Sequence, residues 1–164
     1  MILGVTPLTF IHVLLSLIGI LSGVVVLFGL LESKRLDGWA AVFLTTTVLT
    51  SATGYLFPFH RLLPSHIIGA VSLVALAVAI VARYSKNLTG SWGPTCVISA
   101  MIAFYLNVFV LIFQAFLKVP ALKAAAPTQS EPPFLAAQVV VMILFIVLTV
   151  RATRRFRVES LSVA

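Results

Sequence analysis

Five long stretches of this chain carry no charge at all: residues 8–31, 39–57, 64–82, 94–117 and 134–150 contain no Asp, Glu, Lys or Arg. The hydrocarbon core of a bilayer asks for about 20 consecutive, mostly apolar residues, with about 17–25 tolerated. All five runs meet that length, the last only just. With no water at that depth, each run must satisfy its own backbone hydrogen bonds and is expected to be a helix. Barrel strands would alternate apolar and polar residues over about ten positions, and nothing here alternates. Composition excludes the soluble alternative. Hydrophobic residues make up 61% and charged residues 9%, against about 45–50% and about 25% in soluble domains. The expected fold is all-α, an integral membrane bundle in a single domain spanning 1–164. Five transmembrane helices is the leading count. Four is the runner-up, with 134–150 lying on the membrane surface.

Lysine and arginine set the orientation. Lys34, Arg35, Arg83, Lys86, Arg151, Arg154, Arg155 and Arg157 fall on one side of a five-span chain; Arg61, Lys118 and Lys123 fall on the other. Eight against three predicts the N-terminus outside and the C-terminus inside. No basic segment precedes the first run, so it is expected to stay as an anchor rather than be cleaved. Short connections predict an up-down antiparallel bundle. The net charge of +7 then reads as topology and attraction to anionic lipid, not as a nucleic-acid surface. A single cysteine, Cys96, excludes an intrachain disulfide and any Cys-rich metal or iron–sulfur site.

Polar residues inside the spans gather toward the predicted outer end. His12, Ser16, Gly19 and Gly23 lie at i, i+4, i+7 and i+11, one face of a helix. Thr46, Thr50 and Thr53 form a second stripe, and Asn107, Gln114 and Lys118 a third. His66 and Gly69 share a face of the third span, and Gln138 opens the fifth. His60 lies in the outer loop. Polar groups at membrane depth normally turn toward a bundle interior or a wet cavity. The expectation is an outward-facing polar pocket built from Ser16, Thr50, Thr53, His60, Asn107, Gln114, Lys118 and Gln138, closed below by apolar packing. Helix packing alone is the competing reading of the threonine stripe, and inter-helix glue that of Asn107 and Gln114. Gly19 and Gly23 form a G-x-x-x-G pair, expected at an internal contact more than at a dimer seam. The segment from Lys118 to Pro133 is the longest connection, with 121–126 forming a short helix between prolines.

Two histidines at similar depth on different helices, His12 and His66, would suit axial ligation of haem b, with electrons passed to or from a quinone. A zinc or copper site of His12, His60 and His66 lacks an obvious carboxylate or thiol to complete it. No carboxylate lies within a span, which argues against proton- or sodium-coupled transport. Nor is there a carboxylate pair for acid–base hydrolysis.

The stretches 50–60 (TSATGYLFPFH), 63–66 (LPSH), 114–123 (QAFLKVPALK) and 127–133 (PTQSEPP) resemble an uncharacterised family of small bacterial multi-pass inner-membrane proteins. That resemblance covers nearly the whole chain; it implies a bacterial inner-membrane location and no particular activity. A fainter similarity is to cytochrome b561-like four-helix proteins, with His early in the first and third spans followed by Gly. This chain lacks the paired histidines that two haems would need. The leading expectation is a non-enzymatic, outward-pocketed, ligand-binding or accessory subunit, in the lipid bilayer as a homo-oligomer or part of a larger membrane complex. The alternative is a haem b membrane cytochrome using His12 and His66.

Overall fold

Proline and capping chemistry set where the helices begin. In the computed structural model, which describes residues 6–57 and 64–162, α1 (Pro7–Leu31) starts with proline in its first turn and Thr6 as its cap. The Thr6 hydroxyl accepts from the Thr9 amide at 3.3 Å, satisfying one of the donors a helix start leaves open. α2 (Asp37–Gly54) follows a tight turn in which Leu36 takes a left-handed conformation. α3 (Pro64–Ile80) runs into a π-helical turn, Val81–Ser85, before α4 (Trp92–Lys118). The short α5 (Pro120–Ala125) and the long α6 (Pro132–Ser162) complete the chain. No strand occurs among the described residues.

Among the described residues, four helical segments are long and apolar enough to cross a membrane: Pro7–Leu31, His66–Ser85, Trp92–Lys118 and Pro132–Phe156. The long helix outside that group is α2, not the last one. Its 18 residues include Thr45, Thr46, Thr47, Thr50, Ser51 and Thr53, and these hydroxyls lower its apolarity. The last helix differs from the expected short segment. It runs for 31 residues, because Arg151, Arg154 and Arg155 continue the helix beyond the apolar run instead of ending it. Good helix formers do not stop a helix where hydrocarbon stops.

Contacts along the chain place α2 between α1 and α3, and α4 against α3 and α6, with α1 also meeting α4 and α6. Consecutive long helices alternate in direction. His12 near the start of α1 meets Thr53 near the end of α2, while Arg83 after α3 meets Asp37 at the start of α2. The bundle therefore has a His12 end and an Arg83 end. Its centre is packed with Phe43, Leu76, Val97, Met101 and Phe104. Leu21, Phe28, Val74 and Val140 point outward and are well exposed, as side chains facing lipid would be. In hydrocarbon, helix association rests on close packing and inter-helix hydrogen bonds more than on apolar burial.

Candidate functional site

A polar seam runs from the His12 end to the middle of the bundle along the facing surfaces of α1, α2 and α4. At the rim, His12 Nδ1 lies 2.9 Å from Thr53 Oγ1. The Thr53 hydroxyl already donates to the Leu49 carbonyl at 2.7 Å. A hydroxyl has one proton, so here it accepts, and His12 carries its proton on Nδ1 with the lone pair on Nε2. Phe57 meets the His12 ring edge to face at 5.3 Å. One turn deeper, Ser16 donates to Asn107 Oδ1 at 2.9 Å.

The seam ends around Gly19. Thr46 Oγ1, Thr47 Oγ1 and Asn107 Nδ2 all lie within 3.3 Å of the point where a Cβ on Gly19 would sit. Thr46 is satisfied by the Val42 carbonyl at 2.7 Å. Thr47 Oγ1 and Asn107 Nδ2 are buried with no hydrogen-bond partner among the described residues. Burying an amide or hydroxyl without a hydrogen bond costs about 1–3 kcal/mol by mutational measures, so two such groups side by side form an unusual feature. Below them the seam closes. Phe104 contacts Phe43 at 5.8 Å and Phe145 at 5.0 Å between ring centres, and the three rings fill the centre.

Other expected site residues are placed differently. Thr50 is buried, but its hydroxyl donates to the Thr46 carbonyl at 2.8 Å. His66 is buried on α3, its ring 5.6 Å from that of Tyr55, whose hydroxyl donates to the His66 carbonyl at 2.6 Å. Ser51 and Ser72 join α2 to α3 at 3.1 Å. Gln138 faces a separate seam between α4 and α6: its Nε2 donates to the Phe109 carbonyl at 3.3 Å, and its Oε1 is buried without a partner among the described residues. Gln114 is half-buried and Lys118 exposed at the end of α4. His60 lies outside the described residues. The segment after α4 is pinned by a small cluster of Phe116, Ala126 and Phe134, with Lys123 exposed.

A haem between His12 and His66 would require both rings to face one slot. His12 bonds Thr53 through Nδ1, and the His66 ring packs 5.6 Å from that of Tyr55. Among the described residues no three His, Cys, Asp or Glu side chains come together to hold a metal ion.

Sequence reasoning missed two features. Thr47 is buried at 1% exposure; its signal was the spacing Ala40, Phe43, Thr47, Thr50, which marks the packed face of α2. At the opposite end, Arg83 is buried with its guanidinium bonded to the Asp37 carboxylate and, at 2.8 Å, to the Arg35 carbonyl. Its place in the π-helical turn turns it inward, and no periodicity signals that. No protein-family model matches this chain, and no curated protein or solved structure matches it either.

Proposed function

We propose that this chain is a non-enzymatic, multi-pass protein of the bacterial inner membrane that binds a small polar ligand, or a polar element of a partner subunit, in the α1–α2–α4 seam. The observation that carries the reading is the pair of buried groups, Thr47 Oγ1 and Asn107 Nδ2, that have no hydrogen-bond partner among the described residues and close in on Gly19. A group that accepts from Asn107 and exchanges a hydrogen bond with Thr47 would remove both penalties. The aromatic layer of Phe43, Phe104 and Phe145 below the seam argues for a blind pocket rather than a through-path.

In this reading the chain crosses five times, with the N-terminus outside and the C-terminus inside. α2 is the span with the least apolar surface, and its hydroxyls ease the cost: Thr46, Thr50 and Thr53 each donate to a carbonyl one turn back at 2.7–2.8 Å. A threonine bonded this way presents mainly its methyl group. Orientation rests on the excess of Lys and Arg at the Arg83 end. Single cysteines at Ser33, Gly90 or Thr128, in a Cys96→Ser background, test it. Only Thr128→Cys should react with an impermeant maleimide in intact spheroplasts.

The binding reading is tested by native mass spectrometry of protein purified in mild detergent. Wild type is expected to retain a non-lipid adduct or a second subunit. Gly19→Ala, whose methyl would sit 3.1 Å from Thr47 Oγ1, and Asn107→Leu should both lose it. Identical spectra from all three proteins would overturn the proposal.

A further inference from the structure

A hollow lies on the α4–α6 face toward the Arg83 end, with Phe145, one of the three rings below the seam, in its lining. It is a groove of about 510 Å³ whose lining runs from Tyr105 and Met142 to Thr153 and Arg154. That volume is within the about 300–1,000 Å³ of small-molecule sites. Phe145 and Tyr105, with ring centres 5.6 Å apart, form its floor; Ile102 and Ile146, both well exposed, form its rims. The lining is almost wholly apolar except at one end. There Thr153 Oγ1 is buried without a partner among the described residues, and the Arg154 side chain is exposed beside it.

Length and charge identify the occupant. Met142 and Arg154 are twelve residues apart on α6, about 18 Å at 1.5 Å per residue. Half of a hydrocarbon core of about 30 Å is about 15 Å, so the groove spans one leaflet, from near the midplane to the headgroup level. A long apolar trough ending in a guanidinium and an unpaired hydroxyl matches a lipid tail and its phosphate. Basic pockets between helices at headgroup level suit anionic lipids. A second copy of this chain fits worse. A two-fold contact through this face would set Arg151, Arg154 and Arg155 against the same residues of its mate.

We infer that the α4–α6 groove is a binding site for one anionic phospholipid, an acyl tail lying on Phe145 and Tyr105 and the phosphate held by Arg154 and the Thr153 hydroxyl. This inference rests neither on the ligand-binding reading of the α1–α2–α4 seam nor on the orientation proposed above. The test is native mass spectrometry of the full chain, delipidated in detergent and titrated with phosphatidylglycerol or phosphatidylcholine of identical tails. Wild type should bind phosphatidylglycerol at least fivefold more tightly. Arg154→Gln should abolish that preference while leaving weak binding of both lipids. Ile146→Trp or Ile102→Trp, which fill the groove from opposite rims, should lose binding of both, and helix content and melting temperature show whether each variant is folded. Equal affinity of wild type for the two lipids would overturn the inference. So would undiminished binding in a folded tryptophan variant, or a lipid-insensitive dimer of the wild type that either tryptophan dissociates.

Discussion

The Phe104 ring lies against Gly23 so closely that a methyl group on Gly23 would stand 2.9 Å from Cδ2 and Cε2 of that ring. The G-x-x-x-G pair of α1 thus serves two internal purposes. Gly19 leaves room for polar groups of α2 and α4, and Gly23 admits the aromatic ring that closes the seam. Phe104 is buried and braced by Phe43 and Phe145, so it cannot retreat cheaply. Overpacking a filled core typically costs about 1–3 kcal/mol, and Gly23→Ala is expected to destabilise the bundle by that amount. Gly38→Ala is the matched control, because nothing lies within 4 Å of its added carbon. Unfolding in mixed micelles should separate the two substitutions.

Ser16 and Asn107 form an inter-helix hydrogen bond of 2.9 Å within the seam. Such bonds in membrane proteins contribute about 0.6 kcal/mol on average and up to about 1.7. A double-mutant cycle of Ser16→Ala and Asn107→Ala should give a coupling in that range. Thr47→Val behaves oppositely. It removes a hydroxyl that has no partner while keeping the shape, so it should be neutral or stabilising by about 1 kcal/mol in ligand-free protein. A Thr47→Val protein that unfolds more readily than wild type would mean that Thr47 is satisfied after all.

Axial position was legible in the sequence; direction around each helix was only partly so. The uncharged runs mark α1, α3 and α4 to within a few residues, because hydrocarbon leaves the backbone no alternative to a helix. Ser16 and Asn107 were assigned to one level and do meet. Gln138 was assigned to the same level, yet it faces α4 on a different seam, since depth says nothing about which neighbour a residue turns toward. The 134–150 run marks the apolar part of α6 but not its end, because Arg151, Arg154 and Arg155 continue the helix. In the sequence Arg83 is a topological charge and nothing more. A cation in the last turn of a span is ordinarily expected to snorkel, and the π-helical turn that points it inward leaves no trace in composition.

Arg83 and Asp37 form an asymmetric ion pair, with Arg83 almost fully buried and the Asp37 side chain 72% exposed. Water screens the carboxylate, so the pair is worth less than a fully buried one. Removing Asp37 nevertheless leaves a buried guanidinium without its carboxylate, bonded still to the Arg35 carbonyl. Asp37→Asn is expected to cost about 1–3 kcal/mol, below the about 3–5 kcal/mol typical of breaking a fully buried pair. Replacing both partners, with Arg83→Met and Asp37→Asn together, removes the stranded charge and should recover part of that loss. Urea unfolding of the three variants in detergent checks the order. A double variant less stable than Asp37→Asn alone would show that Arg83 supports the bundle chiefly by bonding the backbone.

Glu131, just before α6, is the group whose titration should be felt locally. Partial burial pushes its carboxyl up, but hydrogen bonds from the Thr128 hydroxyl and amide and the Ser130 amide outweigh this and hold it below the ordinary carboxylate value. A folded-state value below the unfolded one means that the carboxylate stabilises the fold at pH above its ordinary value. That contribution fades as pH falls through the depressed folded value. Acidification is therefore expected to loosen the 127–131 turn at the start of α6, and neutral pH to hold it. Glu131→Gln should show the loosened turn at every pH. Hydrogen exchange at the Thr128 and Ser130 amides, corrected for intrinsic rates, reads this directly. Wild type should lose protection on acidification toward the level of Glu131→Gln, and protection unchanged across the carboxylate range would mean that the amides are held by something other than this charge.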